Sequence, residues 1–388
     1  MMPNAIDEPL RVLHIVGGLG PGGIESFLMS VYRQIDRTKV QFDFMVPEER
    51  EYHYSREVID LGGNIYAVPY GKKDFVESNR RLRDFYLNHQ YSVVHLHDGS
   101  LHSLQALGEA KSAGVPIRIL HAHSSGSTLE SLRDYADRLV HCFNSTRIGV
   151  ATDFFACSRA AAEYFGFTRR KCAHNWRLIL NGIDLDGFAF KGETRRRIRK
   201  LLEIDANALV VGTVGRMERE KNQKILIRAL PFLKEHVDDV KFLLVGSGSL
   251  AADLRDTAES LGVAESCIFL SKRRDVNELC SAMDVFAFPS MYEGLGIALI
   301  EAEANGLPCV VSSNVPEEAV VTSNCSIEGV SEGGDPRQWA NAILDAARRG
   351  RSADSQNQVE AAGFSIKETA RWLEQFYIDS CVKSTDRR

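Results

Sequence analysis

Two glutamates separated by seven residues, Glu293 and Glu301, lie in the part of the sequence with the clearest chemical pattern. Glu293 follows an apolar run typical of a buried strand, and Glu301 belongs to the small-residue helix predicted after it. An ionised carboxylate accepts two hydrogen bonds at once, so Glu301 is suited to the paired hydroxyls of a ribose. We expect the neighbouring Glu303 to be solvated. The pattern therefore predicts a nucleoside site that uses Glu301.

The residues between the two glutamates are small or apolar and open the predicted helix. Backbone N–H groups at a helix N-terminus bind phosphate, and glycines leave those groups uncovered. The helix ends before Gly306 and Pro308, which is a typical C-terminal signal. The candidate contacts to a diphosphate are Gly294, Leu295, Gly296 and Ile297.

Two cations, Arg216 and Lys221, belong to a second loop, between a predicted strand and a predicted helix. Two cations beside the free N–H groups of a helix N-terminus form a cradle for a pyrophosphate. The alternative is that both are solvated surface charges. Gly246, in the glycine turn after the next predicted strand, is a secondary candidate because it could approach a base or phosphate.

A glycine-rich loop at residues 17–23 separates the first predicted strand from the first predicted helix. It satisfies the G-x-G-x-x-G pattern of dinucleotide sites, but Glu48 lies too far along the chain to serve as the acidic ribose ligand. We predict a ligand-facing loop, with a tight turn as the alternative. The candidate residues in it are Gly20, Gly22 and Gly23.

Histidines mark the end of the fifth predicted strand, at His121 and His123. Ligands of open α/β sheets bind beyond the carboxyl ends of the strands, so either ring could donate to a substrate hydroxyl or phosphate. The two rings share a face only while the strand continues. A structural role is the alternative for both, and equally for His95, His97 and Asp98.

Asn181 and Gly182 form a turn signal after an apolar run, and Asn181 is a further secondary candidate. Asp184 and Asp186 have the Asp-x-Asp form that holds a divalent metal in some sugar-nucleotide enzymes. A turn and helix start is the interpretation we favour there. We therefore predict no bound metal and no cofactor.

Short apolar runs alternate with longer amphipathic ones, which is typical of a parallel sheet covered by helices on both faces. The pattern runs through the first half of the chain and starts again in the second, and 388 residues exceed one usual hydrophobic core. We predict an α/β protein of two Rossmann-like domains with a cleft between them. The predicted ranges are 1–185 for the first domain, 186–206 for a linker, 207–364 for the second domain and 365–388 for a helix that packs back on the first.

The charge and composition of the sequence argue against some classes of function. The net charge is -5, which argues against a nucleic-acid partner. None of the 8 cysteines forms a Cys-x-x-Cys pair, which is typical of buried, reduced thiols. No signal peptide or spanning segment is recognisable, so we expect a cytoplasmic protein. The basic runs at 169–171 and 195–200 are predicted as solvated helix faces, and they leave open a peripheral contact with the inner membrane.

Together these motifs resemble glycosyltransferase family 4, retaining enzymes of GT-B fold, and especially its bacterial exopolysaccharide and capsule branch. The resemblance covers nearly the whole chain. It is carried by GGIESF at 22–27, HAH at 121–123, ILNGID at 179–184, GR at 215–216, KN at 221–222 and FPSMYEGLG at 288–296. The most specific motif is Glu293 followed eight positions later by Glu301.

The resemblance implies a role for each matching position. Arg216 and Lys221 would hold the diphosphate, and Glu301 would hold the ribose. Glu293 and the amides of residues 294–297 would contact the donor sugar and phosphate. The loop at 17–23 would close over the diphosphate and shape the acceptor site. By its position before Ser124, His123 matches the family histidine that contacts the donor sugar, with His121 the second choice.

The sequence departs from the family at Gly296, where many members carry proline or a larger residue, and its acceptor side matches only loosely. The resemblance implies a retaining hexosyltransferase with a nucleoside-diphosphate-sugar donor, for which we favour uridine over guanosine. A saccharide or polyprenyl-linked saccharide is the expected acceptor. The front-face transfer would be metal-independent, with Arg216 and Lys221 stabilising the leaving diphosphate.

Three alternatives remain at this point. A sugar-nucleotide epimerase of the same fold would convert donor without acceptor. A non-catalytic binding protein would bind the nucleotide sugar without transfer or hydrolysis. A nicotinamide-dependent oxidoreductase rests on the glycine pattern alone and leaves Glu293 and Glu301 unexplained.

Overall fold

The computed structural model describes residues 8–20, 22–70, 75–124, 132–168, 175–293, 295–329 and 334–385. The chain forms two compact units. The first consists of Met1–Gly182 together with Ile366–Arg388, and the second is Ile183–Ser365. Each unit contains one parallel β-sheet with helices on its faces, which is the α/β, Rossmann-like architecture expected from the sequence pattern.

The first unit is built on a seven-stranded sheet of order β3-β2-β1-β4-β5-β6-β7. Its strands are β1 (Leu10–Ile15), β2 (Val40–Val46), β3 (Ile65–Ala67), β4 (Val93–Asp98), β5 (Ile117–Ala122), β6 (Asp153–Ala156) and β7 (Trp176–Leu178). Its helices are α1 (Gly23–Gln34), α2 (Ser55–Asp60), α3 (Phe75–Asn88), α4 (Leu104–Ser112), α5 (Leu132–Ser145), α6 (Arg159–Tyr164) and, at the end of the chain, α15 (Ile366–Thr385).

Two apolar clusters fill the two faces of this sheet because successive residues of a strand point to opposite sides. Leu13 belongs to one cluster, whereas its neighbour Val12 belongs to the other. Helix α15 covers the second face, where Leu373 and Tyr377 are fully or almost fully buried. The last helix of the chain is therefore part of the first unit.

The second unit contains a six-stranded sheet of order β10-β9-β8-β11-β12-β13. Its strands are β8 (Leu209–Val214), β9 (Val240–Val245), β10 (Cys267–Leu270), β11 (Val285–Phe288), β12 (Cys309–Ser312) and β13 (Cys325–Glu328). Its helices are α7 (Leu185–Phe188), α8 (Gly192–Leu201), α9 (Gln223–Lys234), α10 (Ala251–Ser260), α11 (Val276–Ala282), α12 (Ile297–Ala304), α13 (Pro336–Arg349) and α14 (Ser355–Ala361).

In both sheets the order of the strands reverses at the first strand of the unit. β2 and β4 flank β1 in the first unit, and β9 and β11 flank β8 in the second. In open parallel sheets, ligands bind beyond the carboxyl ends of the strands at such a switch point. The loops after β1 and β4, and those after β8 and β11, are therefore the places to examine for function.

The segment predicted as a linker, 186–206, is instead part of the folded second unit. Helix α8 packs on α11, and Arg199 of its charged run is 3% exposed. The Arg199 guanidinium donates to Asp284 at 2.6 Å and to the Ala282 carbonyl at 2.9 Å. Because its charge is compensated inside the fold, this part of the run is not the solvated face that the sequence suggested.

None of the described helices combines the length and the apolar character that crossing a membrane requires. The other basic run, residues 169–171, lies outside the described residues.

Candidate functional site

An ion pair joins the two loops that follow β8 and β11 in the second unit. Lys221 Nζ lies 2.5 Å from Glu293 Oε1, and the side chains are only 17% and 8% exposed. The Ser290 hydroxyl donates to the same carboxylate oxygen at 2.7 Å. Two residues 72 positions apart are thus brought together at the switch point of the sheet. The contact fixes the direction of the Lys221 ammonium.

Arg216 lies on the same loop as Lys221, but its side chain is much more exposed to solvent. Its side chain is 73% exposed, and its guanidinium pairs with Glu220 at 2.8 Å. The Gln223 side chain donates to the Arg216 carbonyl at 2.8 Å, which anchors the backbone of the loop to the start of α9. The exposed guanidinium can reach an anionic ligand without first breaking a buried contact.

Gly246, a secondary candidate, has a structural reason to be glycine. Its φ is +145°, and a Cβ atom there would lie 1.9 Å from the Gly215 carbonyl oxygen. The loops after β8 and β9 therefore touch backbone to backbone, and any side chain at Gly246 would separate them. This contact positions the Arg216 loop whether or not Gly246 also touches a ligand.

Gly296 caps the N-terminus of α12 in the left-handed conformation, with φ +87°. Proline is locked near φ -65° and cannot adopt that conformation. The departure from the family pattern at this position is therefore also a difference in backbone conformation. Leu295 is buried, Ile297 begins the helix, and Gly294 lies outside the described residues.

Of the two acidic residues of α12, one differs from expectation. Glu303, predicted to be solvated, is fully buried and accepts from the backbone N–H groups of Val321 and Thr322 and from the Thr322 hydroxyl. Burial raises its pKa to about 7. These bonds tie α12 to the segment after β12, so Glu303 has a structural role that helix periodicity alone did not indicate.

Glu301 is partly buried, and burial raises its pKa to about 8. Among the described residues, no hydrogen-bond donor satisfies its carboxylate, in contrast to Glu303. Hydroxyl groups that donate to a buried carboxyl group lower its pKa, so the group ionises when they reach it. Its surroundings fit the predicted role as a ligand to a pair of hydroxyl groups.

In the first unit, the glycine loop leads into α1 without a side-chain cap at Gly22. The Glu25 carboxylate folds back towards Gly22, and burial raises its pKa. No described heavy atom lies within 4 Å of a Cβ built at Gly20 or Gly23, so both positions have open space beside them. The loop leaves room for a ligand at the N-terminus of a twelve-residue helix.

His121 and His123 share a face, with ring centroids 4.0 Å apart, so the strand geometry continues through both. His121 is fully buried in β5, whereas His123 follows the strand and is partly exposed. Burial lowers the pKa of His123 to about 3, which keeps its ring neutral. His123 Nε2 shares a hydrogen bond of 2.9 Å with His97 Nδ1. This contact was missed from the sequence because it depends on the register of β4 against β5.

Asn181 follows β7 in the first unit, and its side-chain oxygen is buried without a partner among the described residues. Asp184 and Asp186 are exposed, and neither joins a group of described residues that could hold a metal. Two groups of three histidines do have ring nitrogens within 4.8 Å of one another: His14, His95 and His97, and His97, His121 and His123.

Comparison with known proteins shows the family of the chain. Residues 21–186 match the family described as Glycosyltransferase Family 4, and residues 194–362 match Glycosyl transferases group 1. The "Putative glycosyltransferase EpsF" of Bacillus subtilis (strain 168) is 34% identical to this chain over 352 residues. The matched region covers 88% of each protein. The Escherichia coli UDP-Gal:alpha-D-GlcNAc-diphosphoundecaprenol alpha-1,3-galactosyltransferase is 27% identical, with 76% of each chain covered.

Solved structures share the fold. Anabaena Alr3699/HepE in complex with UDP superposes with a TM-score of 0.75 over 96% of this chain and 100% of that one, at 19% identity. The same protein in complex with UDP-glucose gives a TM-score of 0.74. With two parallel-sheet units and family matches that together cover most of its length, the chain is a glycosyltransferase of GT-B fold and belongs to glycosyltransferase family 4.

Proposed function

We propose that this glycosyltransferase moves a hexosyl group, with retention of configuration, from a UDP-sugar to a saccharide or polyprenyl-linked saccharide of a cell-surface polysaccharide. The observation that carries the proposal is the Lys221–Glu293 pair beside the exposed Arg216 in the second unit. The Escherichia coli relative that uses UDP-Gal and the structural neighbour that binds UDP-glucose support the choice of uridine.

The proposed mechanism depends on where negative charge develops during the transfer. When the bond between sugar and diphosphate breaks, negative charge accumulates on the leaving diphosphate. Arg216, Lys221 and the backbone N–H groups at the start of α12 are the groups we assign to that charge. Preorganised donors stabilise a transition state because they need not reorient during the reaction. We propose a front-face transfer in which these groups act without a metal ion.

Other residues position the donor in this proposal. Glu301 accepts from the ribose hydroxyls, and Glu293 contacts the donor sugar while it orients Lys221. His123 contacts the same sugar through its partly exposed ring, which burial keeps neutral by lowering its pKa to about 3. Gly20, Gly22 and Gly23 contribute backbone to the diphosphate and the acceptor. Cytoplasmic location and contact with the inner membrane stay predictions from the sequence.

The test is transfer from a UDP-sugar to a synthetic polyprenyl-diphosphate saccharide by Arg216→Ala and Lys221→Ala variants. Each should lower turnover by about 10²–10³-fold, the usual effect of losing one such donor. Lys224→Ala is the matched control, because Lys224 lies on the neighbouring helix and pairs with Asp253 at the surface. Near-wild-type turnover in both variants, with thermal unfolding unchanged, would remove the basis of the proposal.

A further inference from the structure

Five histidines meet on one face of the sheet in the first unit: His14, His95, His97, His121 and His123. The register of the sheet brings them together, since His14 pairs with His95 across β1 and β4, and His97 pairs with His121 across β4 and β5. Because strand residues two apart share a face, the remaining histidine joins the same side. The cluster lies at the switch point of this sheet.

The rings are in direct contact. His95 and His97 have ring centroids 4.1 Å apart, and His121 and His123 are 4.0 Å apart. His97 is central, because its Nε2 shares a hydrogen bond of 3.0 Å with His14 Nδ1 and its Nδ1 shares one of 2.9 Å with His123 Nε2. His95 Nδ1 is held by the Tyr377 hydroxyl at 2.8 Å.

Five ring nitrogens of the cluster have no hydrogen-bond partner among the described residues. Among the described residues no partner reaches either nitrogen of His121, and His121 is 0% exposed. His14 Nε2, His95 Nε2 and His123 Nδ1 are buried without partners as well. A buried polar group without a partner costs about 1–3 kcal/mol, so five such atoms in one cluster need an explanation. His121 stands out because both of its nitrogens lack a partner, and a ligand that takes a lone pair of His121 would satisfy one of them.

We propose that His97, His121 and His123 bind one Zn²⁺ ion. Imidazole nitrogens are common zinc ligands, and a site with three protein ligands keeps a fourth position open for water or an anion. All three rings offer a nitrogen within 4.8 Å of the other two. A zinc site with Zn–N distances of about 2.0–2.1 Å requires the His97 and His123 nitrogens to separate slightly from their present contact and the His121 nitrogen, within 4.8 Å of both, to move towards them.

Two observations favour this triad over His14, His95 and His97. The second nitrogen of His97 is already held by His14, which is the outer contact that orients a zinc-bound imidazole. His123 is partly exposed and gives the ion a path from solvent. The other triad is buried throughout, and a doubly charged ion there would lose its hydration without any route in.

The test uses the tag-free full-length protein, stripped of metal with a chelator and titrated with ZnCl₂ by calorimetry and with Co²⁺ by visible absorption. The expected result is one Zn²⁺ per chain and the absorption of a four-coordinate Co²⁺ site. X-ray absorption of the zinc form should show three imidazole nitrogens at about 2.0 Å. Less than one tenth of an equivalent bound would overturn the proposal.

Variants separate this site from its neighbours. His121→Phe removes a ligand but keeps an aromatic ring, and it should weaken zinc binding at least 100-fold. His95→Phe is the matched control from the same cluster and should stay within threefold of wild type. Loss in His95→Phe with unchanged binding in His121→Phe would place the ion at the deeper triad, and unchanged binding in both variants would place it outside the cluster; either result overturns the proposal. If circular dichroism shows His121→Phe unfolded, His123→Ala replaces it, with the same expected loss.

Discussion

At the scale of single residues, the sequence identified groups by type and spacing but not by environment. Glu301 and Glu303 are two positions apart on one helix, yet no described residue donates to Glu301, whereas Glu303 accepts from backbone N–H groups. Nothing in a single sequence distinguishes them, because the donors come from residues 321 and 322. The histidine cluster was missed for the same reason, since strand register is a long-range property.

The raised pKa of Glu301 predicts how donor binding depends on pH. At pH 7 the folded protein without ligand holds Glu301 mostly protonated, because its pKa is about 8. Ribose hydroxyls donate to the ionised form, so binding must release that proton. The dissociation constant of a UDP-sugar should therefore fall by about tenfold between pH 7 and pH 9.

Calorimetry in buffers of different ionisation enthalpy measures this proton release directly. Glu301→Gln is the matched control, because it keeps the shape of the side chain and removes the titration. A UDP-sugar affinity that is flat between pH 7 and pH 9 in the wild-type protein would contradict the role given to Glu301.

At the scale of elements, alternation of apolar runs predicted both parallel sheets, because the strands of a covered sheet are short and continuously apolar. The same reasoning failed for α8. Its run of arginines and lysine reads as surface, but Arg199 turns inward and meets Asp284, which precedes β11. A buried arginine is recognisable only when its partner is known, and that partner is 85 positions away.

Arg199→Met tests the structural role of this pair. The methionine keeps the apolar stem but leaves several carbonyl oxygens without their donor, and it removes one of the two arginines that pair with Asp284, the other being Arg195. Urea unfolding should show a loss of about 2 kcal/mol, since hydrogen bonds from a charged donor to buried acceptors are costly to lose. Arg196→Met, on the exposed side of the same helix, should change the free energy of unfolding by less than about 0.5 kcal/mol. Equal effects of the two substitutions would show that α8 is held by other contacts.

At the scale of the whole molecule, each unit repeats the same construction. The strand order 3-2-1-4-5-6 occurs in both sheets, and both carry glycine-rich loops at the switch point. Sequence alternation revealed the repetition, but the bounds of the units depend on where the chain packs. Residue 183 pairs with residue 365, so the second unit closes on itself before α15 begins. That pairing explains why the second unit starts earlier than the sequence indicated.

The central claim is that the second unit binds the nucleoside diphosphate of a sugar donor through Glu301 and the Arg216–Lys221 loop. The most direct test is calorimetric titration of the purified protein with UDP-, GDP- and ADP-sugars, beside Glu301→Ala and the exposed control Glu235→Ala. The account predicts micromolar binding of a UDP-sugar that is lost in Glu301→Ala and kept in Glu235→Ala. Binding that is unaffected by Glu301→Ala, or no binding of any nucleotide sugar, would contradict it.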